Sequence, residues 1–400
     1  MQHRYISIAL VAALAAGACS DKPLPVFMDP VPASVPAGQP ALGPRLVKGP
    51  RDTVILSWME HGDDPPRLLF SRYTNGSWQP AIEAVADPQM FVNWADLPAV
   101  QPTGRDRLLA HWLSYAGDEP YAYQVLTSWS DDSGQSWSKP TSPHDDGTPT
   151  EHGFVSTYPA PAGTGMIWLD GRETPEGGMT LRGAVVSGDG GITDETLLDD
   201  LVCDCCQTSV ALTDNGAVAV YRNRTEDEVR DIYLARQADG RWQPGEAIAN
   251  DGWVISGCPV NGPAIDTSDD LVAIAWFTAA DNKPVVKTAF SKNSGKAFSE
   301  PVLVSTRSPQ GHVGVAAIDR HSYVVSWLEK EKDDSYAIKI RGLTSDGKVG
   351  LVYTVGRTAL AHIVPQLLRS GDELLLAWTD EIAGLSKVVS VRVPIAGFYD

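Results

Sequence analysis

Short apolar stretches that end on an aromatic residue recur along the chain at a nearly fixed spacing. They read VILSW, LLAHW, GMIW, VAVY, VAIAW, YVVSW and LLLAW, and neighbouring aromatics lie 51 to 56 residues apart. The aromatics are Trp58, Trp112, Trp168, Tyr221, Trp276, Trp327 and Trp378. A fixed period of this length predicts an array of like units, none of which buries its apolar face alone.

Each period holds the same order of strand-like segments. In the first unit, Pro44–Val47 precedes a turn and then VILSW, and a third apolar stretch, LLFSRY, follows. Several units continue with a glycine turn and an aromatic that leads into a fourth strand, as in NGSWQP and DGRWQP. Four short antiparallel strands repeated radially form a β-propeller. We therefore predict an all-β propeller domain over residues 44–400 with seven four-stranded blades; six blades is the alternative, because the third unit is compressed.

Composition agrees with this fold and narrows the range of partners. The 36 glycines, the 29 prolines and a charged fraction of 20% suit many short strands joined by turns. The formal net charge is −18, from 32 basic and 50 acidic residues. Binding a phosphate backbone requires clustered Lys and Arg, so we expect no nucleic-acid partner.

The N-terminus has the features of an export signal. Arg4 precedes an apolar run, Ile6–Ala16, that is too short to cross a membrane as a helix. The sequence predicts a signal peptide over residues 1–18. Cys19 follows small residues and resembles the lipidated cysteine of bacterial lipoproteins. The resemblance implies a lipid-anchored outer-membrane protein whose contact with the membrane is the anchor alone; the alternative is an unmodified Cys19 and a periplasmic protein.

A proline-rich segment, residues 19–43, follows the predicted cleavage site. Such a composition favours an extended, semi-rigid tether. Val26–Met28 within it has a second interpretation. These three apolar residues could supply an outer strand to the last blade, which otherwise is one strand short.

Two of the glycine turns carry a recognisable motif. One copy comprises Ser130, Asp132, Gly134 and Trp137, and a variant copy comprises Ser291, Asn293, Gly295 and Phe298. A short polar side chain caps the amides of such a turn, and glycine supplies positive φ. On these residues the chain resembles the sialidase-like superfamily of BNR (Asp-box) propellers. We therefore expect the motif residues to be structural. The motif indicates the fold rather than the activity, because one scaffold hosts unrelated activities.

The resemblance implies a specific set of catalytic groups. Active sialidases carry an arginine triad for the substrate carboxylate, a Tyr/Glu nucleophile pair and an Asp acid/base. Arg45 occupies the place of their first arginine, although the Ile and Pro of the family motif are absent, and the sequence shows no convincing Tyr/Glu pair. The catalytic candidates are Arg45, Arg172, Arg222, Arg224, Asp96 and Tyr115. For each arginine the alternative is a structural salt bridge.

Polar residues also concentrate in loops on the face opposite the Asp-boxes. These loops leave the second strand of a blade or lead into an innermost strand, so we expect them to surround the mouth of one channel. The candidate ligand-binding residues there are Asn93, Trp94, Asp170 and Asn261.

The sialidase resemblance does not explain the cysteines. The segment CDCC and a later cysteine lead into the inner strands of consecutive blades and should lie close together. Pairing of the adjacent Cys205 and Cys206 is the least favourable, since their α-carbons are only about 3.8 Å apart. Cys203–Cys206 with Cys205–Cys258 is easier. The alternative to disulfides is a soft-metal site for Cu or Zn. It would draw on Cys203, Cys205, Cys206, Cys258, His152, His312 and His362.

The sequence therefore predicts the architecture more firmly than the activity. The leading hypothesis is an exported sialidase-like propeller that acts on or binds glycans, and if it is an enzyme, it is an exo-sialidase-like glycoside hydrolase. The alternatives are a Cu- or Zn-binding propeller and a non-catalytic propeller that binds a cell-surface protein.

Overall fold

The structure is a computed structural model that describes residues 23–396. Its strands form seven antiparallel sheets, which are the blades of a β-propeller. The prediction of seven blades is confirmed. The predicted signal peptide and the predicted lipidation site, Cys19, lie outside the described residues. Within residues 23–396 no helix is long and apolar enough to span a membrane.

The strands follow chain order around the ring. Before blade 1 lie β1 (Val26–Phe27) and β2 (Val31–Pro32). Blade 1 holds β3 (Ala41–Lys48), β4 (Val54–Glu60), β5 (Arg67–Thr74), β6 (Ser77–Trp78) and β7 (Ile82–Ala86). Blade 2 holds β8 (Ala99–Pro102), β9 (Leu108–Tyr115) and β10 (Tyr123–Ser130). Blade 3 holds β11 (His152–Ala160), β12 (Gly163–Asp170), β13 (Thr180–Val186) and β14 (Ile192–Asp199).

The second half of the ring repeats this order. Blade 4 holds β15 (Ser209–Thr213), β16 (Gly216–Arg222), β17 (Ile232–Ala238), β18 (Arg241–Trp242) and β19 (Glu246–Ala247). Blade 5 holds β20 (Ala264–Ser268), β21 (Leu271–Thr278), β22 (Val285–Ser291) and β23 (Val302–Ser305). Blade 6 holds β24 (Pro309–Ala317), β25 (Ser322–Lys330), β26 (Tyr336–Thr344) and β27 (Val349–Thr358). Blade 7 holds β28 (Gln366–Ser370), β29 (Glu373–Ile382) and β30 (Leu385–Ala396). Two single 3₁₀ turns span Pro50–Asp52 and Ala280–Asn282.

The repeated aromatic of the sequence lies one to four residues before the end of the second strand in each blade. All seven aromatics are buried, at most 3% exposed, because this strand is covered by neighbouring blades on both faces. A buried indole N–H needs an acceptor, and in five blades a carboxylate accepts it. The donor–acceptor pairs are Trp58–Glu60, Trp112–Asp87, Trp168–Asp170, Trp276–Asp251 and Trp327–Glu329. Acidic residues near these strand ends therefore have a structural function.

The ring closes through the N-terminal segment. In β1, Val26 and Phe27 pair with Ala396 and Ile395 of β30, and β2 pairs with the same strand. Val26 and Phe27 of the proline-rich segment therefore belong to an outer strand of the last blade rather than to a free tether. Because β3 starts at Ala41, the first blade also begins three residues before the predicted domain boundary.

The turn after β10 is built by its own side chains. Ser130 Oγ donates to Asp132 Oδ1 at 2.8 Å and accepts the Gly134 N–H at 2.8 Å. Gly134 has φ +92°, a conformation that favours glycine. Ser291 and Asn293 repeat these contacts, with Gly295 donating to Ser291 Oγ at 3.0 Å. These side chains hold turns together, as the sequence predicts.

Candidate functional site

The turn after β10 fixes the orientation of the propeller faces. Ser133 N–H donates to the Asp106 carbonyl at 2.7 Å, and Asp106 lies in the turn between β8 and β9. Both turns are therefore at one end of blade 2. Since the strands are antiparallel, the loops after second strands and those that lead into inner strands lie at the other end. We call that end the upper face. A central channel of about 550 Å³, lined by the inner strands, runs between the two faces.

Aromatic rings gather at the channel mouth. The indole of Trp94 lies 5.2 Å from the His362 ring and 5.8 Å from the His312 ring, centroid to centroid. Asn261 Oδ1 accepts the His312 N–H at 2.7 Å, and Asn93 Oδ1 accepts two amides of its own loop. The structure therefore brings these five predicted residues to one region. The two asparagines shape loops, and the rings offer a surface to a ligand.

A carboxylate–phenol pair lies between blades 2 and 3. Tyr123 Oη donates to Glu151 Oε1 at 2.5 Å. Burial raises the pKa of Glu151 to about 7; the hydrogen bond from Tyr123 opposes this rise, and the nearby charge of Asp204 adds to it. Asp96 lies nearby, and its Oδ2 accepts the Phe154 N–H at 2.6 Å. Burial raises the pKa of Asp96 to about 7 as well. Near neutral pH these carboxyl groups are therefore able to hold or release a proton.

A second carboxylate, Asp204, lies in the loop that leads into blade 4, close enough to Glu151 for its charge to raise the pKa of Glu151. Its oxygens lie 3.4 Å from Arg224 Nη1 and 3.6 Å from Arg230 Nη1. Both arginines also pair with Glu228. The Asp204 side chain is 36% exposed and that of Arg224 is 28% exposed, so both are accessible from the upper face. The protonatable carboxyl group of Glu151 and the carboxylate of Asp204, which is held beside two guanidinium groups, thus occur in the same region.

The cysteines surround Asp204 in the chain. Cys205 and Cys258 form a disulfide, with α-carbons 6.0 Å apart, and it joins the loops that lead into blades 4 and 5. Cys203 and Cys206 are buried free thiols whose Sγ atoms lie 2.6 Å apart. Burial opposes ionisation of Cys203, but Cys206 and two arginines lower its pKa to about 6. Of the predicted pairing, the Cys205–Cys258 bond is found, whereas the Cys203–Cys206 bond is not.

The predicted arginines have separate partners. Arg222 is buried, and its guanidinium donates to the carbonyls of Asn261, Arg230 and Phe277. Arg172 makes two hydrogen bonds of 2.8 Å to the carboxylate of Asp170. Arg45 lines the channel, where burial lowers its pKa. The structure thus gives these arginines different roles and does not assemble them around one substrate carboxylate.

Two further predicted residues lie away from these groups. His152 contacts His144, Asp146 and Asp170, and its contacts include no cysteine of the described chain. The half-exposed ring of Tyr115 packs on Phe91 at 5.3 Å. A metal site that combines the cysteines with His152, as the sequence suggested, is therefore not assembled.

Sequence reasoning missed Tyr123, Glu151 and Asp204. The pair lies on two blades, 28 residues apart, so no local motif contains it. Asp204 stands inside CDCC, where the cysteines were the more conspicuous signal. The one hint in the sequence was that Glu151 directly precedes His152. Only the pairing between the segments of Tyr123 and Glu151 places the two side chains together.

Comparison with known proteins shows the fold. No known family profile matches the chain, and a search of curated proteins gives no match. A protein of unknown function from Dyadobacter fermentans aligns over 93% of this chain and 99% of its own, with 13% identity and a TM-score of 0.54. The endosialidase of phage phi92 aligns over 93% of this chain and 70% of its own, with 9% identity and a TM-score of 0.55. Polysaccharide lyase Uly1 aligns over 88% of this chain and 89% of its own, with 11% identity and a TM-score of 0.52.

The shared feature is the β-propeller. At these identities the likeness to solved structures concerns the path of the chain, and the chemistry has to be argued from the side chains of the upper face.

Proposed function

We propose that the protein is a glycoside hydrolase that cleaves acidic glycans at its upper face, with Glu151 and Asp204 as the reacting carboxyl groups. The observation that carries the proposal is their contrast in surroundings. Glu151 is partly buried against Tyr123, and burial raises its pKa to about 7. The Asp204 side chain is 36% exposed and lies beside two guanidinium groups. Two carboxyl groups in unlike environments can divide acid and base roles.

The proposed reaction assigns one role to each group. Glu151, in its protonated form, donates its proton to the glycosidic oxygen as the bond from that oxygen to the anomeric carbon breaks. Asp204 assists the incoming water by accepting its proton, or attacks the carbon first and is released by that water. In both cases the elements of one water are added across the bond. Tyr123 positions the Glu151 carboxyl through its hydrogen bond.

Arg224 is the group proposed to bind the negative charge of the substrate. Among Arg172, Arg224 and Arg230, it has the most exposed side chain, at 28%. A guanidinium binds a carboxylate through two parallel hydrogen bonds. Trp94 at the channel mouth offers a flat apolar surface for a neighbouring sugar. The phi92 endosialidase and lyase Uly1 support the proposal only in that propellers of this kind carry glycan-cleaving activity.

The test is release of sugar from a panel of sialylated and uronate-containing glycans. Glu151→Gln and Asp204→Asn should each lower kcat/KM by about 100- to 10,000-fold, the usual contribution of a positioned acid or base. Asp200→Asn, on an exposed residue of the same loop, is the matched control and should retain activity. If the wild type releases no sugar from any acidic glycan, or if both variants remain active, the proposal is wrong. Glycan binding without release would instead support a lectin-like propeller.

The soft-metal alternative now rests on fewer ligands. Cys205 and Cys258 are joined to each other, which leaves Cys203 and Cys206 as a two-thiol site for Cu(I) or Zn²⁺. Thiol titration with metal analysis of anaerobically purified protein tests it, and two titratable thiols without bound metal would count against it.

Export and lipidation remain part of the proposal. Metabolic labelling with a radioactive fatty acid should mark the wild type and not Cys19→Ser. Label in both proteins would contradict lipidation at Cys19.

A further inference from the structure

A buried histidine at the start of β11 has an unsatisfied ring nitrogen. His152 and Asp170 are direct partners in the antiparallel pair of β11 and β12, so the register of blade 3 places their side chains together. Asp146, in the loop that leads into β11, approaches the same point. The His152 and Asp170 side chains are fully buried and that of Asp146 is 7% exposed.

The tautomer of His152 follows from its neighbours. Its Nδ1 lies 3.0 Å from the Thr150 carbonyl oxygen, which only accepts hydrogen bonds, so Nδ1 carries a proton. Its Nε2 lies 3.2 Å from Asp146 Oδ2 and 3.6 Å from Asp170 Oδ1. Within the described residues this nitrogen has no hydrogen-bond partner. In neutral His152 a lone pair would face two carboxylate oxygens, which is unfavourable unless a cation lies between them.

We propose that His152 Nε2, Asp146 Oδ2 and Asp170 Oδ1 bind one divalent metal ion of the Zn²⁺ class. Zinc binds imidazole nitrogen and carboxylate oxygen at about 2.0–2.2 Å, so the ligand atoms of a tetrahedral site lie about 3.3–3.6 Å apart. The distances of 3.2 and 3.6 Å from Nε2 to the two oxygens match this spacing. One nitrogen and two oxygens also suit a borderline cation better than a soft one.

The surrounding contacts are those of a metal site. A metal-bound histidine usually donates its other N–H to a carbonyl or carboxylate, as His152 does to Thr150. Each carboxylate is itself held in place. Thr148 N–H donates to Asp146 at 2.9 Å, and the Trp168 indole donates to Asp170 at 2.7 Å. These bonds orient both carboxylates, and Asp170 Oδ1, which accepts the Arg172 Nε–H at 2.8 Å, would give up that hydrogen bond to the cation.

His144 has a supporting role in this arrangement. Its ring stacks on that of His152, with centroids 4.0 Å apart and planes 4° from parallel. A ring nitrogen of His144 lies within 4.8 Å of the ligand atoms of Asp146 and His152, but an ion in the plane of the His152 ring lies out of the plane of the parallel His144 ring, so His144 would have to rotate to ligate it. Its Nδ1 lies 2.8 Å from Asp146 Oδ2 and donates a hydrogen bond to that ligand.

A proton on His152 Nε2 is the competing cation. Arg172 already pairs with Asp170 and lies 3.5 Å from Asp146, so an imidazolium would complete a neutral cluster of two carboxylates and two cations. The two cations are distinguished by measuring metal directly. Metal binding is measured without glycan cleavage, so a negative result for the metal site leaves the proposed hydrolase activity untouched, and the reverse also holds.

The experiment uses the purified full chain, stripped with a chelator and titrated with Zn²⁺ by calorimetry, with metal content measured after dialysis. The wild type should bind one equivalent at this site. His152→Gln and Asp146→Asn should weaken it at least about 10-fold, as loss of a ligand or orienting group does. His362→Gln, at an exposed histidine of the same face, is the matched control and should bind normally.

Substitution with Co²⁺ separates this site from the thiols. Cobalt bound by nitrogen and oxygen shows ligand-field bands without the thiolate charge-transfer band that Cys203 or Cys206 would give. Absence of stoichiometric binding, retention of full affinity in both variants, or a thiolate band that accounts for all bound cobalt would each overturn the proposal. A melting temperature raised by Zn²⁺ in the wild type and unchanged in folded His152→Gln would support it.

Discussion

Ring closure by the N-terminal strand makes a quantitative prediction at Phe27. Its ring is buried, 6% exposed, and packs edge-on against Tyr353 of blade 6 at 5.1 Å. It belongs to the apolar cluster between blades 6 and 7 that contains Val355 and Ile395. Truncating a buried phenylalanine costs about 3–5 kcal/mol. Since β1 is a two-residue edge strand that can relax, we expect Phe27→Ala to cost about 3 kcal/mol, near the lower end of that range.

Met28 supplies the matched control. It is the next residue of the same segment but is 55% exposed, so Met28→Ala should change stability by no more than about 0.5 kcal/mol. Urea unfolding followed by tryptophan fluorescence and by circular dichroism measures both variants, and coincident transitions are required before free energies are compared. If Phe27→Ala lowers the midpoint no more than Met28→Ala does, β1 does not close the ring and the packing argument is refuted.

Three other substitutions probe the upper face and one structural turn. Asp96→Asn should reduce the loss of stability at high pH. Burial raises the pKa of Asp96 from 3.8 to about 7. The protonated carboxyl therefore stabilises the fold fully below about pH 4, and this stabilisation is lost as the pH rises through 7. Urea midpoints on both sides of neutrality measure the slope, and equal slopes would contradict the assignment. Gly153→Ala would place a Cβ 2.0 Å from Asp96 Oδ2, so it should destabilise by about 1–3 kcal/mol in thermal melts, whereas Gly257→Ala, with only Ile255 at 4.0 Å, should be nearly neutral. Ser130→Ala removes the acceptor of the Gly134 N–H and should cost about 1 kcal/mol in the same melts; an unchanged melting temperature would show that the turn does not depend on it.

Much of the fold was predictable because it depends on local, repeated signals. The alternation of short apolar strands and glycine turns specifies strands, and the period specifies a ring of blades. The turn at Ser130 was predictable in detail, because the hydrogen bonds of the Ser130 and Asp132 side chains join residues within the turn. The seventh blade was harder, since its outer strand comes from the opposite end of the chain.

The candidate site was predictable only in its location. The sequence indicated the loops of the upper face as the place to look and allowed the disulfide between Cys205 and Cys258. It suggested an arginine triad that the structure does not assemble, because a guanidinium such as that of Arg222 satisfies buried carbonyls and is unavailable to a ligand. Residue type alone does not distinguish these two uses of arginine.

By itself, the sequence determined the propeller, the number of blades and the face on which polar groups collect, because each follows from the spacing of residues along one strand or turn. Only the tertiary structure decided which of those groups meet. Tyr123 lies against Glu151, and Nε2 of His152 lies between two carboxylates, because the register between strands and the packing of one blade on the next join residues that are distant in the chain. The pKa of a carboxyl group and the hydrogen-bond partners left to a buried imidazole both depend on burial. Burial is a property of the assembled ring and cannot be read from any one repeat.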